Sequence, residues 1–178
     1  EEIDKLHSKG LKRLRFTSPH PKDMSDQLIQ AMATLKTQMP YLHLPVQSGD
    51  DRTLKRMNRT YTTAEYRKII RKLRKAIPDI ALSTDIIVGF PGETKKQFQN
   101  TAELLKKIKF DMAYISEYSP RPGALAAKKF KDDIPKWEKA RRKKYLSDIL
   151  AKTALENNKK LVGKTLEVLI NEEKNRKL

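Results

Sequence analysis

The feature that most constrains this chain is an alternation. Four times over, a short β-type run is followed by a loop of Gly, Pro, Ser and small polar residues, and then by a helix-patterned segment. The first run covers 11–17, with Leu11, Leu14 and Phe16, and leads into Ser18-Pro19-His20-Pro21. Ser25 is placed to cap a helix with Leu28, Ile29, Met32 and Leu35 on one face, closed by Pro40. The second run, 41–46, leads into Gln47-Ser48-Gly49-Asp50 and a short helical piece over 51–58. Thr62 with Glu65 then opens a helix faced by Tyr66, Ile69, Ile70, Leu73 and Ile77. The third run, 80–88, precedes Gly89-Phe90-Pro91-Gly92-Glu93, and Thr94 with Gln97 opens the next helix. The fourth run, 111–118, precedes Ser119-Pro120-Arg121-Pro122-Gly123.

Pro135 suits the first turn of a last helix running to about 160, its buried face expected to include Trp137, Ala140, Leu146, Ile149 and Leu150. Residues 162–171 alternate Leu166, Val168 and Ile170 and are expected as a lone strand. Strands joined by helices of this length pair in parallel, with right-handed crossovers. The fold class is therefore α/β, with about four βα units, an open sheet or part of a barrel. The expected domains are 1–160, and 161–178 as a linker with the start of a second domain.

In parallel α/β folds the loops after the strands build the active site, and the four unusual loops all stand there. Gln47 and Ser48 offer donors and acceptors, and Gly49, Gly89 and Gly92 are expected to let a ligand approach the backbone. Asp85, inside an apolar strand, must find partners, as a ligand contact or as a satisfied core residue. Glu93 before a helix contacts a ligand hydroxyl or complements the helix dipole; spacing favours the dipole. Arg121, held between prolines, suits a carboxylate or phosphate, or is an exposed turn residue.

Among 178 residues there are 39 Lys and Arg against 22 Asp and Glu, a net charge of +17. This excess favours a polyanionic partner, although a solvated charged surface is the plain alternative. Basic residues crowd the last helix at Arg141, Arg142, Lys143 and Lys144, and a second cluster runs from Arg67 to Lys75. There is no cysteine, so disulfides and thiolate-ligated metals are absent from these residues. His7, His20 and His43 lack metal-site spacing and are expected to be structural, so no metal site is expected. No apolar stretch is long enough to span a membrane. The first residues carry no signal-peptide character, and the chain reads as cut from something longer.

The motifs Tyr41-Leu42-His43-Leu44-Pro45-Val46-Gln47-Ser48-Gly49 and Leu54-Lys55-Arg56-Met57-Asn58-Arg59 resemble the MiaB-type radical S-adenosylmethionine (radical SAM) methylthiotransferases. So do Asp85-Ile86-Ile87-Val88-Gly89-Phe90-Pro91-Gly92-Glu93-Thr94, Tyr118-Ser119-Pro120-Arg121-Pro122-Gly123 and Phe16-Thr17-Ser18-Pro19-His20-Pro21. The likeness runs from about residue 10 to 150. It implies a partial (βα) barrel of the radical SAM type, followed at 161–178 by the start of a TRAM domain. It implies S-adenosylmethionine and two [4Fe–4S] clusters as cofactors, the cluster ligands lying outside these residues, and a reducing electron donor as partner. The reaction implied installs a methylthio group on isopentenylated adenosine in the tRNA anticodon stem-loop. A cytoplasmic monomer is expected, inactive as these residues alone.

By strand position, the resemblance places Gln47 and Ser48 near the ribose or methionine part of S-adenosylmethionine. Asp85, Ile87 and Gly89 pass beside the adenine, and Tyr118 and Ser119 border it through backbone groups. Ser18, His20 and Arg121 belong to the substrate cavity, and Arg141, Arg142, Lys143 and Lys144 to the RNA contact. Asp85 stands at the first glycine of the superfamily's Gly-x-Ile-x-Gly-x-x-Glu pattern, and Glu93 falls one place late. A sister enzyme acting on threonylcarbamoyl-adenosine or a ribosomal protein, and a non-catalytic RNA-binding module, are the alternatives.

Overall fold

A computed structural model describes residues 2–169. Three strands, β1 (Tyr41–His43), β2 (Ala81–Val88) and β3 (Met112–Glu117), form a parallel sheet in chain order. Helix α1 (Asp26–Thr34) precedes β1. Helices α2 (Asp51–Arg56) and α3 (Thr63–Ala76) connect β1 to β2, and α4 (Lys95–Ile108) connects β2 to β3. Helices α5 (Leu125–Lys129) and α6 (Lys136–Lys159) follow. The expected caps are formed: the Ser25 hydroxyl accepts from Leu28 N, and Thr62/Glu65 and Thr94/Gln97 make reciprocal capping boxes.

Two expected strands are corrected. The run 11–17 pairs only at Leu14, bridged to Gln38 beside the start of β1. It lies at an edge, has one neighbour, and carries Lys12, Arg13 and Arg15, which favour water over a second sheet contact. The expected strand at 162–171 is not formed over 162–169, a turn followed by irregular, exposed chain, because among the described residues no neighbouring strand offers it a ladder; residues 170–171 lie outside the described residues. The expected boundary at 160 falls just past Lys159, the last residue of α6.

Leu82, Thr84, Ile86 and Val88 of β2 point to the helices and are buried with Leu42, Leu44, Tyr66, Leu73, Phe98, Leu105 and Leu146. At the end of β1 the pairing slips. His43 opposes Ser83 but Gln47 opposes Ile86, so β1 carries one extra residue, a bulge around Pro45. Proline has no N–H for a ladder, and the buried Thr84 side chain fills the gap. Its hydroxyl donates to Leu44 O (2.9 Å) and accepts from Val46 N (2.9 Å). The chain leaves the bulge with Gln47 in the left-handed region, φ 65°.

The inward face of α6 is corrected in part. Leu146 is buried and Ile149 and Leu150 pack against the core as expected, but Trp137 is 69% exposed and Ala140 is exposed, and the charged Glu138, Lys139 and Arg142 are buried with Thr153 instead. Arg142 Nη1 reaches Glu93 Oε2 at 2.6 Å and donates to the Glu93 carbonyl at 2.9 Å; its Nε donates to Glu138 Oε1 at 2.8 Å. Glu93 Oε2 also accepts from Gly89 N at 2.8 Å. The Lys139 ammonium pairs with Asp132 Oδ2 (2.6 Å) and donates to Tyr118 O (3.0 Å). One helix therefore pins the loops after β2 and β3. Burial pushes the Glu93 carboxyl above its ordinary value, opposed by the Gly89 N–H and by Arg142. Arg141, then Arg142, holds the Glu138 carboxyl down at about 2.

Thr84→Val keeps the shape and leaves Val46 N without a partner. We expect about 1–3 kcal/mol lost in urea unfolding, while Thr84→Ser stays near wild type. Arg142→Met leaves Glu93 buried without its cation and should cost about 3–5 kcal/mol, part of it recovered by adding Glu93→Gln. Because the Glu138 value is depressed in the fold, its contribution is present above the ordinary value of 4.5 and fades as pH falls toward 2. Glu138→Gln should therefore flatten the acid limb of the stability curve, read by thermal unfolding from neutral pH downward.

Candidate functional site

The helices cover one face of the sheet. On the other, alternate residues of the three strands stand side by side: Tyr41 and His43, then Ser83, Asp85 and Ile87, then Met112, Tyr114 and Ser116. This face is polar and only partly covered. The Ser83 hydroxyl, itself buried, is hydrogen-bonded to Tyr41 OH (2.7 Å) and His43 Nδ1 (2.8 Å). His43 Nε2 lies 3.4 Å from Asp85 Oδ1, and the ring meets Tyr114 edge-on at 5.8 Å. Tyr114 is 55% exposed, and the Arg15 guanidinium stands 4.9 Å from the centre of the Tyr41 ring. Asp85 is thus neither a core residue nor alone: half-exposed, it is oriented by an imidazole that a serine holds in place.

From the sequence, His43 reads as structural, and Tyr41, Ser83 and Tyr114 carry no role. A signal for them is nevertheless present, since polar residues alternate with apolar ones in strands that a parallel fold usually buries on both faces.

At the carboxyl ends of the strands, Gln47 and Ile87 line a cavity of about 610 Å³ together with Phe90, Arg52 and residues 55–59. His20 packs edge-on against Tyr61 at 5.2 Å, and the Tyr61 hydroxyl donates to Val46 O at 3.1 Å. Burial pushes the Tyr61 hydroxyl up to about 12, which keeps it a donor. The loop after the first run is thereby fastened to the loop after β1. Ser18 (φ 39°), Ser119 and Arg121 are exposed at the surface, and Arg121 O closes a turn with Ala124 N.

Several expected contacts are taken by the chain itself. The Ser48 side chain is fully buried against Thr101 Oγ1 (3.3 Å) and Asp50 N (3.3 Å), so it presents nothing to a ligand. A Cβ on Gly49 would lie 2.5 Å from Thr101 Cα, and one on Gly89 2.4 Å from Lys139 Cγ. These glycines admit the chain's own helices rather than a cofactor. Tyr118 N donates to Val88 O, so it is not left for an adenine edge, while Tyr118 O accepts from Lys139 and keeps a second lone pair. Glu93 is a buried ion-pair partner rather than a dipole complement at the surface.

The basic patch of α6 is likewise reduced. Arg142 is 4% exposed and faces inward, because its partners Glu93 and Glu138 are buried there. Arg141 pairs with Glu138 at 2.6 Å and Lys144 with Asp148 at 3.2 Å, which leaves Lys143 exposed beside them. Among the described residues, no three His, Asp or Glu side chains are placed to share a metal ion, and no helix is long and apolar enough to cross a membrane.

Comparison with known proteins agrees with this layout. A coproporphyrinogen III oxidase (HemN) of Escherichia coli, a radical SAM enzyme, superposes with a TM-score of 0.62 over 88% of this chain and 36% of that one, at 16% identity. That likeness concerns the fold. A tRNA-2-methylthio-N(6)-dimethylallyladenosine synthase of Caldicellulosiruptor saccharolyticus is 44% identical over 94% of the chain and 36% of its own length. One from Mycobacteroides abscessus is 47% identical over 90% of the chain and 32% of its own length. The chain spans about a third of the length of such relatives. The family model for the radical SAM superfamily matches residues 1–105, more than half of the chain. With a three-stranded parallel sheet whose strand ends carry the unusual loops, and this match, the chain belongs to the radical SAM superfamily.

Proposed function

We propose that these residues form part of a methylthiotransferase that modifies isopentenylated adenosine beside the tRNA anticodon. The observation that carries the reading is the polar, partly covered sheet face, with Asp85 held by His43, opening at the strand ends beside Gln47 and Ile87. A cofactor and a flat substrate base need such a face: uncovered by helices, with a few fixed polar groups on an apolar surround. Relatives named as synthases of this modified base, at 44–47% identity over at least 90% of the chain, support the substrate class.

In this reading S-adenosylmethionine, when bound, supplies the hydrogen-abstracting radical. The chain's own residues bind and orient. Ile87 offers an apolar wall for the adenine, passing Gly89 by position, and Gln47 and Asp85 offer the polar contacts to the sugar and methionyl parts. Ser119, Arg121, Ser18 and His20 border the substrate side, and Lys143 with its neighbours Arg141 and Lys144 contributes to RNA attraction. The 178 residues hold no cysteine, so they do not fit a thiolate-ligated [4Fe–4S] cluster, and no step is assigned to one. A tRNA partner, an external electron donor and a cytoplasmic location belong to the same reading.

The test uses the full polypeptide that the gene encodes, reconstituted anaerobically and given prenylated and unprenylated anticodon stem-loops. Mass spectrometry of the nucleosides should show the methylthio product on the prenylated RNA only. Product on the unprenylated RNA alone would move the substrate to a different adenosine, and product on neither would overturn the reading. Asp85→Asn should weaken S-adenosylmethionine binding in equilibrium dialysis while thermal stability stays within about 1 kcal/mol, since the group is half-exposed.

A further inference from the structure

A second cavity, of about 670 Å³, lies between the first turns of α4 and α6 and shares no lining residue with the strand-end cavity. It stands at the same end of the sheet. Asp133, in its wall, accepts from Gly92 N of the loop after β2 at 2.8 Å, and Arg142, also in its wall, donates to the Glu93 carbonyl at 2.9 Å. Phe98, Ile134 and Pro135 make the lining largely apolar. Trp137 lines it too; it is the only tryptophan of the 178 residues and is 69% exposed. Its neighbours Glu138, Lys139 and Arg142 turn inward to their ion pairs, which leaves position 137 on the water side of α6. A large aromatic ring kept in water beside an apolar hollow is a surface suited to being covered. Lys95 and Arg141 complete the wall, and Lys96 and Lys136 adjoin it in sequence. Trp137, Pro135, Lys95 and Arg141 are all exposed, so an incoming group reaches them without any movement of the fold. Among the described residues, Lys95, Lys96 and Lys136 have no carboxylate within 4 Å. The two acids of the wall are already engaged, Asp133 by Gly92 and Glu138 by Arg141 and Arg142.

We propose that Trp137 and this hollow receive an unpaired base of the RNA substrate, from a nucleotide other than the one modified, with Lys95 and Lys136 taking the adjoining phosphates. The inference rests on the RNA-modifying reading above and adds to it a foothold outside the reaction site. An indole offers a flat face to any base, and stacking on it tolerates every sequence. Cations beside the ring hold the phosphates and set the position of the strand. A docked polypeptide segment is the other occupant that an exposed tryptophan suits. Such a segment would have to bring a carboxylate for each lysine it covered, because a covered ammonium without a partner costs free energy. An RNA strand brings a planar ring and a negative charge with every nucleotide, and the chain's net charge of +17 attracts it. The position agrees. The loop after β2 borders both cavities, Phe90 lining the strand-end one and Gly92 N bonded to Asp133 of the other, so one RNA strand can touch both.

The experiment measures binding of the full polypeptide to a fluorescent anticodon stem-loop across a salt series, with S-adenosylmethionine binding followed separately by equilibrium dialysis. Trp137→Ala should weaken the RNA about five- to hundredfold with the salt slope unchanged, and Trp137→Phe should keep most of the affinity. Lys95→Gln with Lys136→Gln should weaken it too, and lower the slope of log K against log salt by about 1 for each phosphate no longer neutralised. Cofactor binding and melting temperature should stay at the wild-type values in all three. Replacing Trp137 by photoreactive p-benzoylphenylalanine gives a readout that does not depend on affinity. Crosslinking to the stem-loop supports the site, and crosslinking only within the polypeptide shows a protein segment there and overturns it. Full RNA affinity in Trp137→Ala, or no RNA binding by the wild type, overturns it as well. Trp137-dependent RNA binding without methylthio product on any adenosine keeps this site and removes the assigned reaction. Product formation together with Trp137→Ala binding RNA as the wild type does keeps the reaction and removes the site.

Discussion

The strand-end loops hold their shape because one helix presses charge into the interior. Arg142, 4% exposed, joins the Glu93 carboxylate and carbonyl to Glu138, and Lys139 joins Asp132 to the Tyr118 carbonyl. Buried ions are tolerated only when each is paired and hydrogen-bonded, so this arrangement fixes the loops after β2 and β3 at one separation. Glu93 Oε1 is the exception, a buried oxygen with no partner among the described residues. Its burial matches the upward push on that carboxyl. The stem of Lys139 also fills the space above Gly89, which explains a glycine there without a ligand.

A second constraint acts at the end of β1. Pro45 cannot join the ladder, so the strand bulges, Thr84 supplies the missing bonds, and Gln47 emerges left-handed toward the cavity. The same slip separates the two sides of the site. On the sheet face, Tyr41, Ser83, His43 and Asp85 form a chain of polar contacts beside Tyr114. At the strand ends, Gln47, Ile87 and Phe90 open among cations.

Much of this is legible in the chain itself. Ser25, Thr62 and Thr94 signal helix starts because a cap is a local device, satisfied within four residues. The strand-end loops are legible through Gly and Pro, but not what they touch. Ser48 and Gly49 look like ligand groups and are packed on Thr101, a residue more than fifty positions away. The basic run on α6 looks like a surface because Arg and Lys usually are one. Trp137 looks buried for the converse reason and is exposed. For Ser48, Gly49 and Arg142 a partner distant in sequence decides the outcome.

The sequence by itself determined the order of elements, the parallel pairing and the membership of the superfamily, because hydrophobic period, caps and turn residues act over short spans. Only the tertiary structure decided which charges are interior and which line a cavity. Arg142 is neutralised by Glu93, 49 residues earlier, while Arg59 and Lys129, 70 residues apart, share a cavity with no acid. Charge on a side chain is a property of its residue type; whether that charge is neutralised depends on what folding brings within a few ångströms of it.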